Sequence, residues 1–126
     1  MHRRALFAAI STLALAWPAM ALSWPSRPVR IGVPFGAGVP ADIYAHQLRE
    51  RLGPELREPF VVENRRGTGA VIGTEAAKSA ADGQRLLMMS NTHTANATRL
   101  PNRPHVLLRD FVPVAPLNIA DEALIA

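Results

Sequence analysis

Pro28-Val29-Arg30-Ile31-Gly32-Val33-Pro34-Phe35-Gly36-Ala37-Gly38-Val39-Pro40-Ala41-Asp42 is the stretch on which the fold turns. Its first half is a short β-branched run that reads as a strand over Pro28 to Val33. Pro34 to Pro40 is turn-rich and ends the strand. From Ala41 the pattern changes period: Ala41, Tyr44, Ala45, Leu48 and Leu52 recur at helical spacing on one face, with Gln47, Arg49, Glu50 and Arg51 largely off it. Gly53-Pro54 is in the order expected of a helix stop, so the spacing predicts a helix over 41–52.

The same alternation continues downstream. Phe60 to Glu63 reads as a second strand, Asn64 to Gly73 as a glycine-rich loop and Thr74 to Ala80 as a second helix. Asp82-Gly83 turns the chain into a third strand, Arg85 to Met89. Strands separated by helices at this rhythm imply βαβ units and a parallel sheet, and near-continuous apolar strands suit a sheet covered on both faces. Beyond Ser90 the pattern weakens. Asn91 to Arg109 is polar and proline-punctuated, and Phe111 to Ala120 is one further short apolar stretch.

Upstream, Met1 to Ala21 reads as a secretory signal, with Arg3 and Arg4 before the apolar run Leu6 to Trp17 and small residues in Ala19-Met20-Ala21. That run is about a dozen residues, short of the roughly 20 a membrane span requires. Cleavage is expected after Ala21, leaving 22–126 as one domain-sized exported unit. The chain of 126 residues contains no cysteine. That excludes a lipid anchor on cysteine, disulfides, zinc–thiolate sites and cysteine nucleophiles.

Formal charge is +4, from 14 basic and 10 acidic residues. Without Arg3 and Arg4 the balance is 12 against 10, and the charges are scattered. A nucleic-acid surface needs a basic face with stacking aromatics, which this composition does not supply. A mild positive bias suits a small anion.

In an open parallel sheet, ligands collect beyond the carboxyl ends of the strands, where helix N-termini point unpaired amides. Two such loops are legible. One is Phe35-Gly36-Ala37-Gly38-Val39-Pro40-Ala41-Asp42, whose glycines let the backbone approach a ligand. The other is Ser90-Asn91-Thr92-His93-Thr94. Together they describe an anion site built from amides and hydroxyls. Each also has a purely structural reading, a tight βα turn for the first and a capping loop for the second. His93 has no partner at metal-ligand spacing, and His46 falls on the solvated side of its helix. An enzymatic reading competes: Gly36 to Ala41 fits G-x-G-x-x-A, with Glu63 near the place of a ribose-binding acid. Against a dinucleotide site stand the turn lengthened by Pro34 and Phe35, the donor lost at Pro40, and export. No metal, cofactor or catalytic set is expected.

Trp24-Pro25-Ser26-Arg27-Pro28-Val29-Arg30 followed by Val33-Pro34-Phe35 resembles the mature N-terminus of the Bug family, the periplasmic receptors of tripartite tricarboxylate transporters. The match continues through Val61-Val62-Glu63-Asn64-Arg65, Gly67, Gly69 and Ile72-Gly73. It resumes at Ala81-Asp82-Gly83 with Leu86-Leu87, and again at Arg109-Asp110-Phe111-Val112-Pro113-Val114. The resemblance implies an α/β fold of the type 2 periplasmic-binding-protein kind, closing on a small carboxylate and serving membrane permease subunits. It also implies that Phe35 to Asp42 and Ser90 to Thr94 are the ligand loops, with Asp42 either capping its helix or bonding the ligand. The chain departs from the family pattern at Val39, Pro40 and Ala41, where a glycine and two hydroxyls are usual, at Arg66 in place of a proline, and at an insertion over Leu100 to His105. Family members are about twice a typical domain of ~150 residues. The expectation is therefore an incomplete first lobe with the second lobe absent: a truncated receptor, or a remnant that no longer functions.

Overall fold

A computed structural model describes residues 23–80 and 82–118. The expected signal segment and its cleavage point lie outside the described residues, as does the end of the apolar stretch over 111–120. Seven elements follow in order: β1 (Val29–Val33), α1 (Pro40–Leu56), β2 (Phe60–Asn64), α2 (Val71–Lys78), β3 (Arg85–Leu87), α3 (Asn91–Arg99) and α4 (Leu107–Asp110). The three strands form a parallel sheet in the order β2-β1-β3, with Ile31 opposite Val62 on one side and Leu86 on the other.

Alternation along β1 sorts the two faces. Val29, Ile31 and Val33 are buried and join Phe60, Met88 and Ala45 in the core, against which Tyr44, Leu48, Leu52 and Leu56 of α1 pack. The helical spacing read from the sequence is therefore the buried stripe of α1. On the opposite face Gly32 lies under α2, where a Cβ would meet that of Ala77 at 3.9 Å. The two helices thus cover opposite faces.

Coverage of the second face is partial, against expectation. It carries Arg30, whose guanidinium bonds Glu63, and Arg85, which reaches the other oxygen of Glu63 at 3.3 Å. Val61 beside them is exposed. An eight-residue α2 is too short to roof this face, and the ion-paired group occupies the remainder.

Several boundaries differ from the sequence reading. α1 does not stop at Gly53-Pro54; Pro54 lies inside the helix, which runs to Leu56. The last turn carries Leu56 onto the core, and Arg57 takes the left-handed conformation (φ 56°) that glycine more often supplies at a helix end. α2 begins at Val71 instead of Thr74, and β3 stops at Leu87 instead of Met89. The polar stretch after Ser90 holds a nine-residue helix, α3. From Phe111 to Asn118 the chain has no helix or strand, and Val112 and Val114 are exposed.

Candidate functional site

Strand order reverses about β1: the chain goes from β1 to β2 on one side, then crosses to β3 on the other. The space beyond the carboxyl ends of β1 and β3 is the usual place for a ligand in open α/β folds. Both sequence-predicted loops start there, one after Val33 and one after Leu87. They meet through Phe35 and His93, whose rings stand edge to face with centroids 5.9 Å apart.

The first loop is organised by Asp42. Its buried carboxylate receives the Gly38 amide on Oδ2 at 2.8 Å and the Asn64 side-chain amide on Oδ1 at 2.7 Å. His46 Nε2 stands 3.5 Å from Oδ1, on a side chain that is half exposed. The Gly38 hydrogen bond is the main reason the Asp42 carboxyl is held below the usual carboxylate range, reinforced by Asn64 and His46 and opposed by burial. Asp42 is in the first turn of α1, where a negative charge meets the positive end of the helix dipole. Val39 is the residue at the cap, and its side chain accepts nothing. Asp42 therefore braces the loop from inside the helix, with both oxygens committed to the protein. Gly38 has a φ of +84°, which favours glycine, and no heavy atom lies within 4 Å of where its Cβ would be. Phe35, Gly36, Val39 and Ala41 are half-buried, while Ala37 and Pro40 are exposed.

The second loop is a helix start, so the capping reading of Ser90 to Thr94 is the observed one. Ser90 caps α3: its hydroxyl accepts the Thr92 amide, and the His93 ring receives the Ser90 amide in return. His93 is buried against Thr74 of α2, with Nε2 3.1 Å from Oγ1. The Thr74 hydroxyl spends its proton on the Ala70 carbonyl at 2.7 Å. Nε2 of His93 must then carry the hydrogen, leaving Nδ1 to accept from Ser90. Asn91 and Thr94 are exposed and Thr92 is half-buried.

Asn64 and Thr74 were not among the candidate residues, yet both hold the loops in place. Asn64 was legible as a polar residue closing a strand at the same edge. Thr74 was legible as the one hydroxyl in the apolar run of α2. Arg65 and Arg66 follow β2 on this edge with exposed side chains, and among the described residues neither is in an ion pair.

Two buried histidines make the fold sensitive to acid. Burial is the main reason both His93 and His105 titrate below the ordinary imidazole range. For His93 the Ser90 carbonyl beside Nδ1 opposes this and the charge of His105 adds to it. For His105, Glu75 and Asp110 oppose it, while Arg103 and Lys78 add to it. Because the native pKa values lie below the unfolded value of about 6.5, the unfolded chain takes up protons first. Stability is then fully present above about pH 6.5 and is lost as pH falls through that value towards the lowered native pKa values. Asp42 and Asp110 have depressed carboxyls, so their contribution is lost only on further acidification, well below this window. Denaturant midpoints measured from pH 7.5 to 5 should fall, and a flat profile would refute the assignment.

Residues 44–126 match the model of the tripartite tricarboxylate transporter family receptor. The chain is 42% identical over 109 residues to protein BugT of Bordetella pertussis, an alignment covering 84% of this chain and 33% of that protein. It is 38% identical over 117 residues to a UPF0065 protein of Bordetella bronchiseptica, covering 90% of this chain and 35% of that one. A solved structure described as a periplasmic transporter superposes with a TM-score of 0.60 at 35% identity, over 65% of this chain and 28% of its own. The chain spans about a third of the length of these curated relatives.

Proposed function

The chain belongs to the tripartite tricarboxylate transporter receptor family, the Bug receptors, and from that premise we propose that it forms the ligand-facing part of a periplasmic receptor for a small carboxylate. Membership places it with binding proteins and not with an enzyme family, which removes the dinucleotide-binding alternative. The observation that carries the reading is the meeting of the two post-strand loops where strand order reverses, with Phe35 against His93. The amides of Gly36, Ala37 and Ala41 have no hydrogen-bond acceptor among the described residues. They supply donors at the N-terminus of α1. The exposed charges of Arg65 and Arg66 on the same edge favour the approach of an anion.

The ligand contacts in this reading come from within the loops Phe35 to Asp42 and Ser90 to Thr94. Gly38, Asp42, Ser90 and His93 act by shaping the loops, since their polar groups are already paired. No helix of the described residues is long and apolar enough to cross a membrane. The loaded receptor then delivers its solute to membrane permease subunits. Export should be accompanied by removal of Met1 to Ala21, and recovery of periplasmic material beginning at Leu22 checks it. Amide chemical shifts followed through a titration with small carboxylates test the site. Gly36, Ala37, Ala41 and Asn91 should move together; shifts confined to the cleft between α1 and the tail, at Tyr44, Arg51 and Leu117, would sink it.

A further inference from the structure

We infer that the partly open face of the sheet, along the outer edge of β2, is a docking surface for an extended acidic segment of a partner protein. A row of three residues crosses this face: Arg30 of β1 stands between its register partners, Val61 of β2 and Arg85 of β3. Two like charges side by side on neighbouring strands repel unless they are neutralised. One carboxylate serves both, for Glu63 accepts from Arg30 on Oε1 and from Arg85 on Oε2. The cluster is therefore short of acceptors. Arg85 Nε is buried without a hydrogen-bond partner among the described residues. Arg65 lines the same small cleft as Glu63 and Arg85, and it is in no ion pair among the described residues. Of the 12 basic and 10 acidic residues in 22–126, three and one lie here, and the nine and nine elsewhere cancel.

Shape narrows the partner as charge does. β2 is the last strand on its side of the sheet, so its outer backbone groups have no strand partner among the described residues. A segment that adds itself to such an edge gains main-chain hydrogen bonds, and its side chains alternate between the two faces. Those on the open face come within reach of Arg30, whose side chain is 56% exposed, and cover Val61, which is 46% exposed. Those on the other face lie beside Val62, which is only partly buried. The complementary segment therefore alternates acidic with aliphatic residues. Its carboxylates supply the charge that Glu63 alone does not, and the match of sign selects against basic and neutral partners.

The probe is a peptide of alternating glutamate and valine, titrated against the full chain with backbone amide shifts as the readout. Val61, Val62 and Glu63 should move, and affinity should fall several-fold between roughly 0.05 and 0.3 M salt as exposed charges are screened. Arg30→Gln, at an exposed side chain, should weaken binding several-fold. Glu63→Gln should tighten it by a similar factor, because the competing carboxylate is gone; a purely structural role for Glu63 gives no such gain. No shift in β2, equal binding of a lysine–valine peptide, or an affinity unmoved by both substitutions overturns the inference. So does a preference for oligothymidylate or anionic lipid vesicles over the acidic peptide, or pairing of two copies through β2 that the peptide does not displace. The receptor reading is tested separately, at Gly36, Ala37 and Ala41, and stands or falls apart from these results.

Discussion

Gly73→Ala is expected to destabilise the protein by about 3 kcal/mol, the upper end of what overpacking a close-packed site costs. Gly73 is in the first turn of α2, at the point where that helix crosses the end of β1. A Cβ there would stand 2.6 Å from the Arg65 carbonyl oxygen and 2.6 Å from the Pro34 Cα, with the Pro34 Cβ at 2.7 Å. Two of these three atoms are backbone, and Pro34 is fully buried, so no rotamer change relieves the contact. The helix has to lift off the sheet, and α2 carries Thr74, on which His93 rests. Gly67→Ala makes a useful contrast. The contacts of a Cβ there are all with the Ile72 side chain, closest at Cδ1, which can turn aside, although its φ of +147° adds backbone strain. Denaturant unfolding of both variants checks the ranking. A Gly73→Ala protein as stable as its parent would mean that α2 is not seated as described.

The alternation of strands and helices was legible because β1 and α1 each bury a face whose period shows in the residues. Val29, Ile31 and Val33 alternate, and Ala41, Tyr44, Ala45, Leu48 and Leu52 recur every three to four positions. The end of α1 was misread because Gly53-Pro54 is a strong local stop signal. Burial of Leu56 on the core overrides it at a solvent-exposed proline. α3 was missed for the opposite reason. Asn91-Thr92-His93-Thr94 has poor intrinsic helix propensity, and its helix is held by the local Ser90–His93 reciprocal cap and by a tertiary contact, the Asn96 side chain on the Gly69 carbonyl. A histidine in the place usually held by Glu or Gln hides the cap from a motif search. The placement of both loops at one edge followed from parallel topology alone. Which of their polar groups remained available to a ligand did not, because that depends on Asn64 and Thr74, 22 and 19 residues away from the groups they hold.

Thr74→Val should cost about 2 kcal/mol, although the substitution keeps volume and branching and Thr74 is wholly buried. The argument is one of hydrogen-bond supply. The Thr74 hydroxyl donates to the Ala70 carbonyl and accepts from His93 Nε2, so valine leaves a buried N–H without an acceptor. His93 cannot escape by changing tautomer at no cost, because Nδ1 is the acceptor for the Ser90 amide in the cap of α3. Losing Thr74 therefore weakens α2, the start of α3 and the ring that meets Phe35, three parts of the same edge. Thr74→Ser retains the hydroxyl and loses only a methyl, so it should cost about 1 kcal/mol, less than valine does. Urea unfolding of the two variants separates polar from packing effects. If serine proves the more damaging substitution, packing and not the His93 hydrogen bond is what Thr74 contributes, and the two loops are held together by other means.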